Sequence, residues 1–342
     1  MACKRMLQDW TYAIEVLKEL PHKIARMDEQ VYSLLKFSYD NLPNDTMRSC
    51  LLSCSLYPED YEFSIIWLTD YWFCERFLDE FDNISKARMQ GYNIINFLCN
   101  ACLLERCEDA IYVKMHDVVR DMTLWIAREC EALEKKFFVR AGVQLNMAHD
   151  VKNWEDVRMS LAKSGIKDLR GTPKCPNLQT LFLENNNLKV ISDGFFEFML
   201  NLRVLNLFFN FYLRELPKGI SNLVSLECLN QSYTRIRELP FEMNRLSKLK
   251  VLNLYETLEL QKIPRQLICG FSKLQIFRIM EEIISDQVKN VVGIPNPSPF
   301  AKLEKLDLQD LPKLKSIFWD ALPFQCLRKI KYSPNKFCGD GN

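Results

Sequence analysis

Residues 178–188 read LQTLFLENNNL, and the spacing of their leucines decides the fold of the second half of the chain. Leu178 is followed three and five residues later by Leu181 and Leu183, and LRVLNL at residues 202–207 repeats this spacing. Side chains two positions apart on a strand point to the same face, so each leucine pair buries one face of a short strand. The two stretches therefore predict two strands of one kind, one block apart.

The same block recurs at intervals of 23 to 29 residues, and its first leucines are Leu178, Leu202, Leu226, Leu249, Leu274, Leu303 and Leu327. One block alone leaves its apolar face open to water, whereas stacked blocks bury that face as a curved parallel sheet. Seven approximate copies of L-x-x-L-x-L-x-x-N/T-x-L predict a leucine-rich-repeat solenoid, of the α/β class, over residues 156–334. We expect Asn186 and Asn210 to bond backbone groups where the chain leaves the strand.

Side chains between the inward leucines should face the concave surface of the solenoid. Three of them are aromatic, namely Phe182, Phe208 and Tyr255. An exposed aromatic stripe at these positions would be a partner-binding surface. Alternatively, neighbouring segments of the chain cover part of the stripe, and both interpretations stay open because exposed apolar residues are common.

Before residue 155 the apolar residues recur with a helical period instead. Two short strands, LLERC and IYVKM, flank Glu108 and Asp109 after several helical runs, and a closing helix follows them. This order is typical of a winged-helix domain, predicted here over residues 26–130. Asp28 and Asn44 are the expected N-caps of two of its helices. The remaining boundaries are a helix at 1–25, a linker at 131–155 and a frayed tail at 335–342.

The composition favours an ordinary globular protein, because the 342 residues are 48 % hydrophobic and Lys+Arg (45) balance Asp+Glu (44). No apolar run approaches the roughly 18 to 20 residues of a membrane span, and MACKRMLQDW lacks the apolar core of a secretory signal. We therefore expect a cytoplasmic protein, free or attached to a membrane surface, whose 13 cysteines are reduced.

The sequence predicts no catalytic site and no metal site. None of its ten glycines begins a G-x-x-x-x-G-K-[ST] loop, and its three histidines lie far apart. A zinc site formed by Cys99, Cys102, Cys107 and His116 is disfavoured, since the first pair falls inside a helical run and no second close pair follows. Nucleic-acid binding is disfavoured because the wing ERCEDAIYVK carries three acidic residues against two basic ones.

VKMHDVVRDM, residues 113–122, places His116 and Asp117 where an extended run meets the closing helix. The Asp117 carboxylate can accept a hydrogen bond from the amide of Val119 or Arg120, and the positive end of the helix dipole favours a neutral His116 imidazole. The same positive end also suits a phosphate group. Taken alone, these residues favour a structural cap over a ligand site.

The order of these motifs resembles the plant NLR disease-resistance proteins, most closely their coiled-coil branch. The resemblance is carried by LLKFSYDNLPNDTMRSCLLSCSLYPEDY (34–61), WLTDYWFCERFLDE (67–80), GYNIINFLCNACLLE (91–105) and VKMHDVVRDMTLWIA (113–127), followed directly by the repeats. It implies that residues 1–25 are a helix from the helical subdomain of the family's NB-ARC module and that residues 26–130 are its winged-helix subdomain. Met115-His116-Asp117 would then be the MHD motif.

In that family the MHD histidine contacts the β-phosphate of ADP and holds the receptor off, and exchange for ATP after pathogen perception frees the module to signal. The resemblance thus implies an immune receptor that is not an enzyme and that contacts nucleotide at His116 and Asp117. The partners it implies are proteins: a pathogen effector or a guarded host protein, and the switch module of the same molecule, which the repeats restrain.

The sequence departs from the family in two places. The family's P-loop, acidic strand motif and G-L-P-L-A do not occur in it, so we expect this chain alone to retain no nucleotide cofactor. The family's W-I-x-E-G-F corresponds to residues 72–77, where Arg76 replaces the glycine and predicts an altered turn. The alternative from another class is a leucine-rich-repeat adaptor or substrate receptor without nucleotide switching.

Overall fold

The computed structural model contains the two predicted architectures, a helical domain with a small antiparallel sheet and a parallel-sheet solenoid. The residues that the structure describes are 32–78, 80–129, 137–139, 157–260, 263, 264, 267, 270–280, 305–309 and 329–333. The predicted helix at 1–25, the predicted cap Asp28 and the predicted tail at 335–342 lie outside these residues.

Within the described residues, the first domain contains five helices: α1 (Ser33–Asp40), α2 (Asp45–Cys54), α3 (Ile65–Cys74), α4 (Ile84–Asn100) and α5 (Asp117–Glu129). Asn44 caps α2 as predicted, because its side-chain oxygen accepts a hydrogen bond from the Met47 amide at 2.9 Å. None of the described helices is long and apolar enough to cross a membrane.

The small antiparallel sheet has the order β1–β3–β2, formed by β1 (Phe63–Ser64), β2 (Glu105–Arg106) and β3 (Tyr112–Lys114). The pair β2–β3 is the predicted hairpin. The strand β1 was not predicted because two residues are too short to show a period. Helices, hairpin and closing helix together confirm the winged-helix arrangement.

Nine parallel strands form the sheet of the solenoid, in spatial order β14–β13–β12–β11–β10–β9–β7–β5–β4. They are β4 (Phe137–Val139), β5 (Arg158–Ser160), β7 (Thr180–Phe182), β9 (Val204–Asn206), β10 (Cys228–Asn230), β11 (Val251–Leu254), β12 (Ile276–Met280), β13 (Lys305–Gln309) and β14 (Lys329–Ser333). Seven of them begin two residues after the seven repeat leucines, which confirms the predicted repeats. Two further strands, β6 (Asp168–Leu169) and β8 (Val190–Ile191), pair on another side of the solenoid.

The strand β4 corrects the predicted domain boundary. Phe137–Val139 lies within the segment 131–155 expected to be a linker, yet it pairs in parallel with β5 and forms one edge of the sheet. Its sequence, EKKFFVRAG, lacks the leucine spacing by which the other strands were found. The sheet therefore begins before residue 156.

Asn186 satisfies the backbone where the chain turns away from β7, as the repeat pattern predicts. Its side-chain oxygen accepts hydrogen bonds from the amides of Ser164 (3.0 Å) and Ile166 (3.1 Å). Its amide group donates to the carbonyls of Leu161 (2.8 Å) and Leu183 (2.9 Å). The Asn186 side chain is buried, so water cannot reach these backbone groups to take its place as their hydrogen-bond partner.

We expect Asn186→Ala to lower the free energy of unfolding by about 2–4 kcal/mol, because several buried backbone groups lose their partner at once. Urea unfolding followed by circular dichroism measures the change. Asn187→Ala is the matched control, since Asn187 is the exposed neighbour in the same loop and should cost under about 0.5 kcal/mol. Equal losses in the two variants would contradict the proposed role of the buried asparagine.

Candidate functional site

His116, not Asp117, caps helix α5. The His116 carbonyl accepts the hydrogen bond of the Arg120 amide at 2.9 Å, and its ring Nδ1 accepts that of the Val118 amide at 3.3 Å. The predicted cap at Asp117 is therefore wrong by one position: Asp117 is already the first helical residue, where its negative charge suits the helix dipole. A ring nitrogen that accepts is unprotonated, so the exposed His116 presents Nε2–H to solvent.

A cavity of about 770 Å³ opens beside His116. Its polar lining comes from Arg106 and Glu105 on β2 together with Asn100 and His116, and its apolar lining from Leu35 and Val118 among others. The Arg106 guanidinium donates to the Ala110 carbonyl at 3.3 Å and to Asn96, which fixes it in place. Arg106, which the sequence did not single out, adds a permanent cation to the predicted site.

Three groups of this lining suit one side of a phosphate group, whereas the Glu105 carboxylate, paired with Lys114 at 3.5 Å, would repel it. The ring Nε2–H, the Arg106 guanidinium and the positive end of α5 are all donors or positive poles. Among the residues that the structure describes, no three His, Cys, Asp or Glu side chains converge as a metal site requires.

The concave face of the solenoid is covered by the winged-helix domain of the same chain. Phe182 is only 3 % exposed, with ring centroids 5.2 Å from Tyr57 and 5.4 Å from Tyr71. The first outward residues of the next four strands, β9 to β12, lie in the same apolar cluster as the helical core: Val204, Cys228, Val251 and Ile276. The face therefore belongs to an interface between the two domains.

The prediction of an exposed aromatic stripe is wrong for Phe182, and the alternative of cover by neighbouring segments holds instead. Phe208 is partly buried, with its ring 5.2 Å from that of Trp67 on α3. Tyr255 is partly buried beside Tyr233, at 5.6 Å. The three aromatic residues do lie on one face as expected, but that face is largely occupied.

Buried ion pairs join the two domains through helix α3. The Asp70 carboxylate, 1 % exposed, accepts two hydrogen bonds from Arg88 of α4 (2.7 and 2.8 Å) and one from Arg278 of β12 (2.7 Å). At the C-terminal end of the helix, Glu75 accepts two hydrogen bonds from Arg158 of β5 (3.1 and 2.9 Å). Charges removed from water in this way require such partners.

Arg76 forms a third ionic link. Its backbone has a φ of 63°, the left-handed conformation that favours glycine, and the Phe77 amide donates to the Trp72 carbonyl at 3.0 Å. The turn predicted to be altered is therefore still a left-handed one, which an arginine adopts at a cost of about 1–2 kcal/mol. The side chain then reaches the buried Glu227 carboxylate at 2.6 Å.

Neutral hydrogen bonds complete the interface. Asn230 of β10 donates to the Tyr71 hydroxyl at 2.8 Å, and Gln275 accepts from the Ile84 amide at 2.9 Å while donating to the Asp82 carbonyl at 3.0 Å. Sequence reasoning missed these contacts because it treated the two domains separately. A signal was present, since Arg158 and Arg278 are charges at outward strand positions between apolar residues.

Glu184 is a buried carboxylate in the same interface. Burial raises its pKa from 4.5 to about 8, although a hydrogen bond from Asn206 and the charge of Lys163 act in the opposite direction. One of its oxygens, Oε1, has no hydrogen-bond partner within the described part of the chain. Tyr57, Tyr61 and Tyr71 surround it, and burial raises their own pKa values, so no neighbouring tyrosinate competes for protons.

We expect domain docking to weaken as the pH rises. The pKa of Glu184 in the docked state, about 8, is higher than its ordinary value of 4.5. Protonated Glu184 therefore contributes its full stabilisation of docking below pH 4.5. This contribution falls as the pH rises from 4.5 to about 8, and above that pH it decreases no further. Labelling of Cys74, a buried interface thiol, should therefore become faster in the wild-type protein than in Glu184→Gln between pH 6 and 8.

Comparing the two proteins at each pH removes the pH dependence of the reagent. Glu215→Gln, at an exposed position of the next repeat, should behave as the wild type does. A labelling ratio that stays constant with pH would contradict the assignment to Glu184.

Comparison with known proteins matches both domains. Residues 56–123 match the family model of the disease resistance protein winged helix domain, and residues 176–236 match the leucine rich repeat model. The leucine-rich repeat domain of the type III effector XCV3220 (XopL) superposes with a TM-score of 0.36 at 20 % identity, over 58 % of this chain and 75 % of that chain.

Three Arabidopsis thaliana proteins are similar over most of the chain. Disease resistance protein SUMM2 is 48 % identical over 245 residues, which are 70 % of this chain and 27 % of that protein. Disease resistance protein RPS5 is 44 % identical over 256 residues, 74 % of this chain and 29 % of that protein. Putative disease resistance protein At4g10780 is 42 % identical over 315 residues, 90 % of this chain and 34 % of that protein.

The chain thus spans about a third of the length of the curated relatives that it matches. The two regions that match family models, residues 56–123 and 176–236, both lie in this chain, and one relative is similar over 90 % of it. The chain therefore belongs to the plant disease resistance protein family.

Proposed function

We propose that the chain is the regulatory part of a plant immune receptor, in which the leucine-rich repeats perceive a pathogen cue and hold the winged-helix domain in a restrained position. The observation that carries the proposal is the cover of the concave face by that domain, through Phe182 and the buried ion pairs of Asp70 and Glu75. Relatives named as disease resistance proteins support the same function.

The proposed restraint rests on the balance of charges across the interface. Removing one partner of a buried ion pair leaves the other charge uncompensated, which costs about 3–5 kcal/mol. A cue that pulled the repeats away from Asp70 and Glu75 would have to replace those partners or hydrate them. The interface is thus stable when closed and costly to open halfway, as a two-state restraint requires.

The nucleotide side of the proposed switch is the cavity beside His116. There the Nε2–H of His116 would donate to a phosphate oxygen of ADP, and Arg106 would neutralise its charge. The Asp117 carboxylate would not contact the phosphate, since both groups are negative. It would instead stabilise the first turn of α5. In this proposal ADP or ATP is held jointly with a P-loop domain, and this chain alone retains neither.

The remaining expectations belong to the same proposal. The partners would be a pathogen effector or a guarded host protein, with the winged-helix domain as the partner within the molecule. The chain would have no enzymatic activity of its own and no nucleic-acid partner. Its location would be the cytoplasm, free or at a membrane surface.

A charge swap tests the restraint. Glu75→Arg or Arg158→Glu alone should release the winged-helix domain, because like charges would then face each other in a buried site. The double variant should restore docking. Labelling of Cys74 and Cys228, both buried between the domains, reports release, whereas Cys50 and Cys175 lie within the domain cores and report only unfolding.

The same changes can be made in the gene of the source plant. Each single variant should start defence responses without a pathogen, and the double variant should not. Arg237→Glu breaks an exposed ion pair with Glu259 away from the interface and serves as the control. Single variants that label like the wild type, or that leave plants without any defence phenotype, would contradict the proposal.

ADP binding tests the nucleotide side. Titration calorimetry of the purified chain should give a dissociation constant weaker than about 100 µM, since only one side of the phosphate site is built. His116→Ala and Arg106→Ala should abolish this residual binding, while Lys174→Ala, at an exposed position of the repeats, should not affect it. Binding tighter than about 1 µM would show that the chain forms the whole site by itself.

A further inference from the structure

Two exposed aromatic side chains stand on the flank of the solenoid that follows strand β9. Phe211 and Tyr212 are 42 % and 52 % exposed, between the buried residues Asn210 and Leu213. In the repeats on either side, a single residue fills the corresponding place, namely Asn187 and Arg235. The inserted residue thus places two large rings in solvent where neighbouring repeats have one polar side chain.

A cation from each adjacent repeat contacts one of the two rings. The Arg235 guanidinium lies 4.2 Å from the ring centroid of Phe211, and the Lys189 ammonium lies 6.0 Å from that of Tyr212. Such contacts orient a ring without removing it from solvent. The rings and the cations therefore form one surface, exposed and fixed, that neither domain covers.

The same flank carries a row of positive charge. In four successive repeats the residue after the buried aliphatic side chain is basic and exposed, namely Lys167, Lys189, Arg214 and Arg237. Backbone hydrogen bonds join them in two pairs: the Lys189 amide donates to the Lys167 carbonyl at 2.7 Å, and the Arg237 amide to the Arg214 carbonyl at 3.1 Å. The contact of Lys189 with the Tyr212 ring, two residues before Arg214, connects the two pairs.

Acidic residues border this row. The next position in three of these repeats is acidic, at Asp168, Glu215 and Glu238, and Glu259 pairs with both Arg235 and Arg237. A flat anionic membrane or a nucleic acid would meet these carboxylates as well as the cations. A narrow chain can follow the row of cations alone.

We propose that this flank, formed by Lys189, Phe211, Tyr212, Arg214 and Arg235, binds an extended acidic segment of a protein partner. Its carboxylates pair with Lys189 and Arg214, and an aromatic or aliphatic side chain of the segment packs on the exposed rings. The inference rests on the proposed function, in which the repeats perceive a protein, and it names the chemical class of that protein's contact.

The flank is separate from the concave face. The winged-helix domain occupies Phe182 and its neighbours, whereas Phe211 and Tyr212 lie beyond the strands and stay exposed in the docked protein. A partner can therefore bind the flank without first displacing the domain.

The test uses the whole purified chain and a labelled synthetic peptide of about twelve residues, with tyrosines interspersed among glutamates, which spans about 40 Å when extended. Comparison probes are the same peptide with lysine for glutamate, the same with glycine for tyrosine, and vesicles of phosphatidylcholine and phosphatidylserine. Fluorescence anisotropy should show saturable binding of the first peptide, weaker at higher salt.

Lys189→Glu with Arg214→Glu should weaken binding about 3- to 10-fold, as expected for exposed charge pairs that change from attraction to repulsion. Phe211→Ser with Tyr212→Ser should weaken it by a similar factor. The matched controls are Lys248→Glu and Phe241→Ser, exposed residues away from this flank, which should leave binding unchanged.

Three results would overturn the inference: no saturable binding, equal binding of the lysine peptide, or equal effects of the control variants. Vesicles bound more tightly than the peptide, with the same dependence on Lys189, would identify a membrane surface instead. If the peptide does not bind but the swap of Glu75 and Arg158 behaves as expected, the flank is not a binding surface and the proposed function still holds. Failure of the charge swap would remove the restraint, whatever the peptide does.

Discussion

The arrangement of the two domains depends on the partners of one buried carboxylate. Asp70 sits in the middle of helix α3 with almost no exposure, where an unpaired charge would cost several kcal/mol. Arg88 binds it from the winged-helix domain and Arg278 from the repeats. Because only one of these arginines belongs to its own domain, Asp70 is fully satisfied only when the domains are together.

The rest of the interface extends from this pair. Glu75 repeats the arrangement with Arg158, and the apolar row from Val204 to Ile276 excludes water around both. Buried ion pairs specify a geometry more than they stabilise it, whereas apolar burial stabilises without specifying. Together they explain how one helix finds a single position on a curved sheet. Arg76 adds a charged contact at the cost of a left-handed backbone.

The sequence predicted what short-range physics controls. The leucine pairs place the strands, Asn186 fits its loop, and Asn44 caps its helix, because each depends on residues within one repeat or one turn. The predicted cap of α5 was one residue too late, since an imidazole nitrogen, like a carboxylate oxygen, can accept a hydrogen bond from a backbone amide. The exposure of Phe182 was misjudged because its partners Tyr57 and Tyr71 lie more than a hundred residues away. One cue was available: the strands are apolar on both faces, as in a sheet covered on both sides.

The ion pairs of Asp70 and Glu75 also relate docking to the shape of the solenoid. Asp70 and Glu75 are separated by about 7.5 Å along the helix axis, at 1.5 Å per residue. Their partners stand on β12 and β5, five strand steps or about 24 Å apart along a flat sheet. The reach of the two arginine side chains and the curvature of a stacked-repeat sheet together bring both guanidinium groups to this short stretch of helix. Flattening the repeats would move both arginines away from the helix, so bending of the solenoid would strain both ion pairs at the same time.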